Sequence, residues 1–236
     1  DQGGYFIING NEKVIISQDT KINNILYINK SSGDNEILKG TIKSISKSGF
    51  QSSRTNNIIY RTKTIREYID GKNVYKRYNI FDVRILDIGD NKYNIPLFIL
   101  FRALGIENDK DILSLIIYEN DNEPLKQKIF DIILPSIRDS EPIYTQKDAM
   151  KYLSLNVENK EIFNVIDKLN NNFIPSYVSS EDNIFDNFLE KAKYLGYCIR
   201  KIILTHLGIL KETDRDSYEN KRIELPGPLL LELYRE

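Results

Sequence analysis

The chain has 236 residues, with 33 Lys and Arg against 34 Asp and Glu, a formal net charge of −1, and 41% hydrophobic residues. That is enough apolar sequence for one large domain or two small ones, and the neutral balance argues against a free-standing nucleic-acid binder, which carries a basic excess. One cysteine, Cys198, excludes an internal disulfide and a multi-thiolate metal site, and no apolar run approaches the ~20 residues needed to span a bilayer.

The first element predicted is a hairpin. Two β-branched runs, Tyr5 to Ile8 and Val14 to Ile16, flank Asn9-Gly10, and a tight type I′ turn needs positive φ at both central residues. Gly3-Gly4 lets the backbone pass close to a neighbour. From Lys21 to about Ile88 the chain is rich in Ile, Tyr, Thr and Val. Turns are predicted at Lys30–Asp34, Ser46–Gly49 and Asp70–Lys72, and strands at Ile25–Ile28, Ile37–Ser44, Asn57–Thr64 and Tyr78–Leu86. This half reads as a mostly antiparallel sheet.

After Asp90 the period changes from two to between three and four. Pro96 opens and Gly105 closes a short buried helix over Leu97–Leu104. Asp109 caps a helix over Asp111–Tyr118, and another is predicted at Leu125–Leu134. Thr145-Gln146-Lys147-Asp148 resembles a capping box leading through Leu153, with a further helix at Glu161–Asn170. Phe185, Phe188, Leu189, Ala192, Leu195, Ile199, Ile202 and Ile203 form one stripe, so the longest helix runs from about Ile184 to Leu207, closed by Gly208. A last helix covers Pro226 to Tyr234. Strands first and helices second is an α+β arrangement.

Charge is uneven along this order. Between Arg54 and Arg77 stand seven basic residues and two acidic ones, and between Glu107 and Glu123 stand six acids and Lys110. Arg54, Arg61, Lys63, Arg66, Lys76 and Arg77 are the candidates for DNA-backbone contact, which neutralises phosphate without reading sequence. Tyr60, Tyr68, Tyr75 and Tyr78 interleave with them and are expected to pack rather than stack on bases. Arg102, in an apolar helix, is expected to pair with a buried acid or a backbone carbonyl. His206 has no histidine or nucleophile partner, and Cys198 reads as a packed small side chain.

Three stretches carry a resemblance: Gly3-Gly4-Tyr5-Phe6-Ile7-Ile8-Asn9-Gly10 with Glu12-Lys13-Val14, Ile95-Pro96-Leu97 through Gly105, and Asp214-Arg215-Asp216 through Lys221-Arg222 to Leu230. In order and separation they resemble the second-largest subunit of eukaryotic-type multisubunit DNA-directed RNA polymerases, including those of large DNA viruses. The family often has His, an aromatic and Gly where Ser217, Tyr218 and Glu219 stand, and Ala at Pro226. These departures, with the Asn, Ile and Lys bias, suggest a divergent branch of viral source. The start at Asp1 and the absence of a signal peptide lead us to expect a piece of a longer intracellular chain, nuclear, or cytoplasmic or in the virion if viral.

The resemblance implies that residues 21–208 form the lobe, inserted into the protrusion, whose segments are 1–20 and 209–236. It implies a lobe lining the downstream DNA cleft. The partners implied are duplex DNA, the largest and other polymerase subunits, and initiation factors. The Mg²⁺ of nucleotidyl transfer would belong to the largest subunit, leaving this segment without catalysis or cofactor. Gly3, Gly4, Asn9, Gly10, Arg102, Asp214, Arg215, Asp216, Lys221 and Arg222 would be structural, the Asp214 loop held by ion pairs to Lys221 or Arg222. Two rivals remain: an enzyme binding Mg²⁺ at Asp214 and Asp216 for phosphoryl transfer, and an interaction module whose Glu107–Glu123 face binds a basic partner.

Overall fold

A computed structural model describes residues 3–31, 33, 35–46, 53–69, 72–89, 93–157, 160–178 and 183–235, with only the backbone at 65–69, 72–74, 232 and 235. The turns predicted at Lys30–Asp34, Ser46–Gly49 and Asp70–Lys72 fall wholly or partly outside these residues, as does the side chain of Arg66.

Asn9 and Gly10 both take positive φ, 52° and 75°, and β1 (Tyr5–Ile8) pairs antiparallel with β2 (Asn11–Val14). Two short strands follow no sequence pattern: β3 (Gln18–Lys21) and, more than 200 residues later, β9 (Lys221–Glu224). They pair antiparallel with Gln18 opposite Glu224 and Lys21 opposite Lys221. The Lys221 amine donates to Asp19 at 2.9 Å, and the Tyr27 hydroxyl lies within hydrogen-bonding distance of both the Ile22 and Asn220 carbonyls. The two ends of the chain are therefore joined into a stem.

The main sheet holds five antiparallel strands in the order β4 (Leu26–Lys30), β5 (Glu36–Ser44), β6 (Arg54–Ile69), β7 (Lys72–Arg84) and β8 (Ile95–Pro96). β6 and β7 stay paired from Asn57–Arg84 out to Ile69–Lys72, whereas β5 pairs β6 only as far as Arg61. The outer part of this hairpin is thus a two-stranded ribbon. Along β5 the pleat alternates: Leu38, Gly40, Ile42 and Ser44 are buried, while Lys39, Thr41 and Lys43 reach the other side.

Among the described residues seven α-helices follow: α1 (Leu97–Ala103), α2 (Asp109–Ile116), α3 (Glu123–Asp139), α4 (Gln146–Ser154), α5 (Ile162–Asn171), α6 (Ile184–His206) and α7 (Pro226–Arg235). Every residue of α1 is buried, and α6 lays Phe188, Ala192, Leu195, Ile199, Ile202 and Ile203 into a core shared with Leu26, Leu38, Ile58 and Phe81 of the sheet. A Cβ on Gly40 would stand 2.9 Å from Ile202 Cδ1, so glycine allows α6 to approach β5.

The helix boundaries sharpen several expectations. Thr145 caps α4, its hydroxyl accepting from the Asp148 N–H at 3.2 Å. Asp109 does not cap α2; Asn108 occupies that position, and Asp109 turns to Arg102 instead. α3 runs through Pro135, where the sequence predicts a stop. Tertiary packing overrides the local penalty: Ile133 and Ser136 are buried, and Ser136 Oγ accepts the Phe81 N–H at 3.0 Å.

Candidate nucleic-acid interface

The six basic candidates do not form one row, because residues opposite each other in an antiparallel pair share a face and neighbours alternate. The face of β6 carrying Asn56, Ile58 and Tyr60 is the one packed on the helices. Arg54, opposite Ser44, lies on that face at its end, half-buried; Arg77, opposite Thr64, has the same parity but stands exposed on the ribbon. Arg61 and Lys63 lie on the outer face, and Lys76, opposite Ile65, shares their parity.

On the outer face, charge is largely internal. Arg61 Nε is 2.5 Å from Asp82 Oδ2, and Lys63 Nζ is 2.6 Å from Asp139 Oδ1 at the end of α3. Burial pushes the Asp82 carboxyl above its usual range, against the pull of Arg61. Arg84 bonds Glu36 at 3.1 Å and Asn94 at 2.5 Å. Arg61 and Lys63 therefore anchor the root of the ribbon, and each offers a phosphate less than a full free charge. Of the interleaved tyrosines, Tyr60 is buried and stacks on Phe81 with ring centroids 4.5 Å apart, while Tyr75 is 67% exposed.

Lys39 and Lys43 belong to the same outer face, opposite Ile59 and Thr55. Both stand outside the basic run from Arg54 to Arg77, and the two-residue alternation of β5 is the sequence signal that finds them. Neither has an ion pair among the described residues.

Arg102 is 1% exposed. Its guanidinium donates to Asp109 at 2.6 Å, to Ser140 Oγ at 3.1 Å and to the Ile143 carbonyl, and it lies over the Tyr144 ring. It ties α1, the start of α2 and the segment after α3 into one unit. The acidic stretch is similarly engaged: Asp121 takes both arms of Arg200 at 2.6 Å, and those bonds hold its carboxyl below its usual range.

The Asp214 loop has partners other than those expected. Asp214 Oδ1 accepts the Asp216 N–H at 2.9 Å, and Asp216 lies 3.8 Å from Arg215. Lys221 pairs with Asp19, which the β3–β9 register sets diagonally across from it, and Arg222 pairs with Glu224, two residues on along the same strand. Among the described residues no group of three or more His, Cys, Asp or Glu is placed to hold a metal ion.

Cys198 is buried, and burial pushes its thiol up to about 12. His206 meets Tyr60 edge-on at 4.9 Å beside a surface groove lined by Lys30, Thr205 and Glu212, and burial lowers its pKa. Lys191, not noticed in the sequence, is fully buried and donates to the Leu169 and Asn170 carbonyls at 2.9 and 2.6 Å; burial lowers its pKa to about 7.

Residues 22–224 match the family model described as RNA polymerase Rpb2, domain 2. Over the whole chain, the sequence is 30% identical to the DNA-directed RNA polymerase II subunit RPB2 of Encephalitozoon cuniculi and 32% identical to the DNA-directed RNA polymerase II subunit 2 of Arabidopsis thaliana. It is likewise 32% identical to the DNA-directed RNA polymerase subunit Rpo2 of Saccharolobus shibatae. The chain spans 18–19% of the length of these relatives. None of the three is viral, so the viral source expected from the Asn, Ile and Lys bias is without support.

Proposed function

The chain belongs to the RNA polymerase Rpb2 domain 2 family, and from that premise we propose that it is the lobe of a second-largest polymerase subunit, guiding duplex DNA past the enzyme without reading its sequence. The observation that carries this reading is the stem. Pairing of β3 with β9 brings entry and exit together, as an inserted domain requires. On this reading residues 21–208 are the lobe, and 1–20 and 209–236 are segments of the protrusion. The apolar side chains left exposed on β1, β2 and α7, among them Ile7, Val14, Leu231 and Leu233, face the remainder of that domain.

The parent reaction is templated nucleotidyl transfer, with its Mg²⁺ on the largest subunit. This chain contributes no catalytic group, and its loop at Asp214 and Asp216 is structural. Its partners are the other polymerase subunits, duplex DNA and initiation factors, and its place of work is the nucleus. Among the candidates with described side chains, Arg54 and Arg77 have no ion pair to a described acid, while Arg61 and Lys63 act mainly through the ribbon they anchor.

The test is binding of the chain to two duplexes of unrelated sequence across a salt series. The expected result is weak, equal affinity for both, falling linearly as log K against log salt. Undetectable or salt-independent binding, with tight capture of a basic protein, would replace this reading with that of an acidic interaction module.

A further inference from the structure

Building on the DNA-guiding reading, we propose that the phosphate track is the outer face of β5 and the root of β6, with Lys39 and Lys43 as its charge-bearing contacts and Thr41, Thr55 and Asn57 as hydroxyl and amide contacts between them. The register sets these five side chains on one face of two adjacent strands: Thr41 opposite Asn57, Lys43 opposite Thr55, and Lys39 opposite Ile59. The pleat partners Leu38, Gly40 and Ile42 point into the core, so this face presents Lys39, Thr41, Lys43, Thr55 and Asn57, and it closes over the fully buried Ile59 beside Lys39. Thr41 Oγ1 and Asn57 Oδ1 lie 3.1 Å apart across the strands, which holds the centre of the surface in one arrangement.

Charge distribution selects the two lysines. Around them, three cations of this face are matched: Arg61 by Asp82, Lys63 by Asp139 and Arg84 by Glu36. Lys39 and Lys43 have no such acid among the described residues. An ammonium without a carboxylate beside it is free to release a counterion to a phosphate; a paired one must first break its own contact. Four residues of strand separate them, about 13 Å along β5, so they meet a backbone as two distinct points rather than as one cluster.

The margins support an elongated occupant. At the β4 edge, Tyr27 shares this face with Thr41 and bonds the stem at Ile22 and Asn220. At the β7 side, Lys63 reaches the end of α3. The polar strip lies between the stem and α3, open where Lys43 and Thr55 are exposed. Duplex DNA is the occupant chosen because the relatives are DNA-directed enzymes and a neutral-to-basic surface of hydroxyls and amides contacts phosphate without base selection.

The experiment measures fluorescence anisotropy of a labelled duplex with the full chain, in parallel with Lys39→Ala/Lys43→Ala, single Lys43→Gln and, as a control, Lys128→Ala on the exposed side of α3. Loss of two phosphate contacts flattens the log–log salt slope by about 1.8 and weakens binding roughly 60-fold at 0.1 M salt. Lys43→Gln, on an exposed strand position, flattens it by about 0.9 and keeps the test valid should the double variant unfold. Normal binding with an unchanged slope in the lysine variants would overturn the assignment while leaving the DNA-guiding reading intact. Absence of DNA binding by the parent chain would overturn both. Competition by polyglutamate as effective as by DNA of equal charge would assign the face to an acidic protein and also overturn it.

Discussion

Replacing Lys191 by methionine should remove a specific pH dependence of stability. The amine is fully buried and meets only the carbonyls of Leu169 and Asn170, where the α5 dipole presents its negative end. Burial without a carboxylate partner takes its pKa from 10.5 in the unfolded chain to about 7 in the fold. Between those values the unfolded chain binds a proton that the folded chain does not, so stability rises with pH across the window; below pH 7 the full cost is present, and above 10.5 it is gone. The whole difference amounts to ~5 kcal/mol at 1.36 kcal/mol per unit. From pH 7 to pH 9, before tyrosines titrate, the gain is ~2 kcal/mol, or about 5 °C in Tm for a chain of this length. Lys191→Met keeps the volume, strips two carbonyls of their donor and has nothing to titrate. Thermal melts followed by circular dichroism at pH 7, 8 and 9 should show the parent rising and the variant flat once the parallel change of other groups is subtracted. Parallel curves would refute the argument.

Removing the buried guanidinium by Arg102→Met should cost ~3–5 kcal/mol in equilibrium urea unfolding, because Ser140 and the Ile143 carbonyl lose their donor and Asp109 its partner. Arg102→Lys should recover only part, since an ammonium cannot span three acceptors in a fixed fork; a cost under ~1 kcal/mol for the methionine variant would count against this. Cys198, whose thiol burial holds near 12, should resist thiol reagents in the native protein and label fully in urea, and rapid native labelling would contradict its burial.

The α+β order and the long helix were legible because their signals are local. The stripe from Phe185 to Ile203 predicted α6 to within a residue at each end, although Phe185 and Leu189 of that stripe are exposed, and Asn9-Gly10 predicted its turn. β3 and β9 escaped because Gln18–Lys21 and Lys221–Glu224 are short and polar, and their pairing depends on a partner 200 residues away. α3 was cut short at Pro135 because local propensity cannot see Ser136 reaching Phe81. The basic run between Arg54 and Arg77 was visible, but its split over two faces was not. That split depends on register, and the neutralisation of Arg61 and Lys63 depends on Asp82 and Asp139, which only the folded chain brings near.

Everything functional hangs on the junction of the two ends, and a cross-strand cysteine pair tests it directly. Asp19 and Ile223 face each other between β3 and β9, within the separation of paired strands that a disulfide spans. In a Cys198→Ala background, Asp19→Cys with Ile223→Cys should close on mild oxidation into a monomeric, faster-migrating species with no free thiol. Persistent free thiols, or only intermolecular cross-links, would mean that the ends do not meet and that this body is not suspended from a stem.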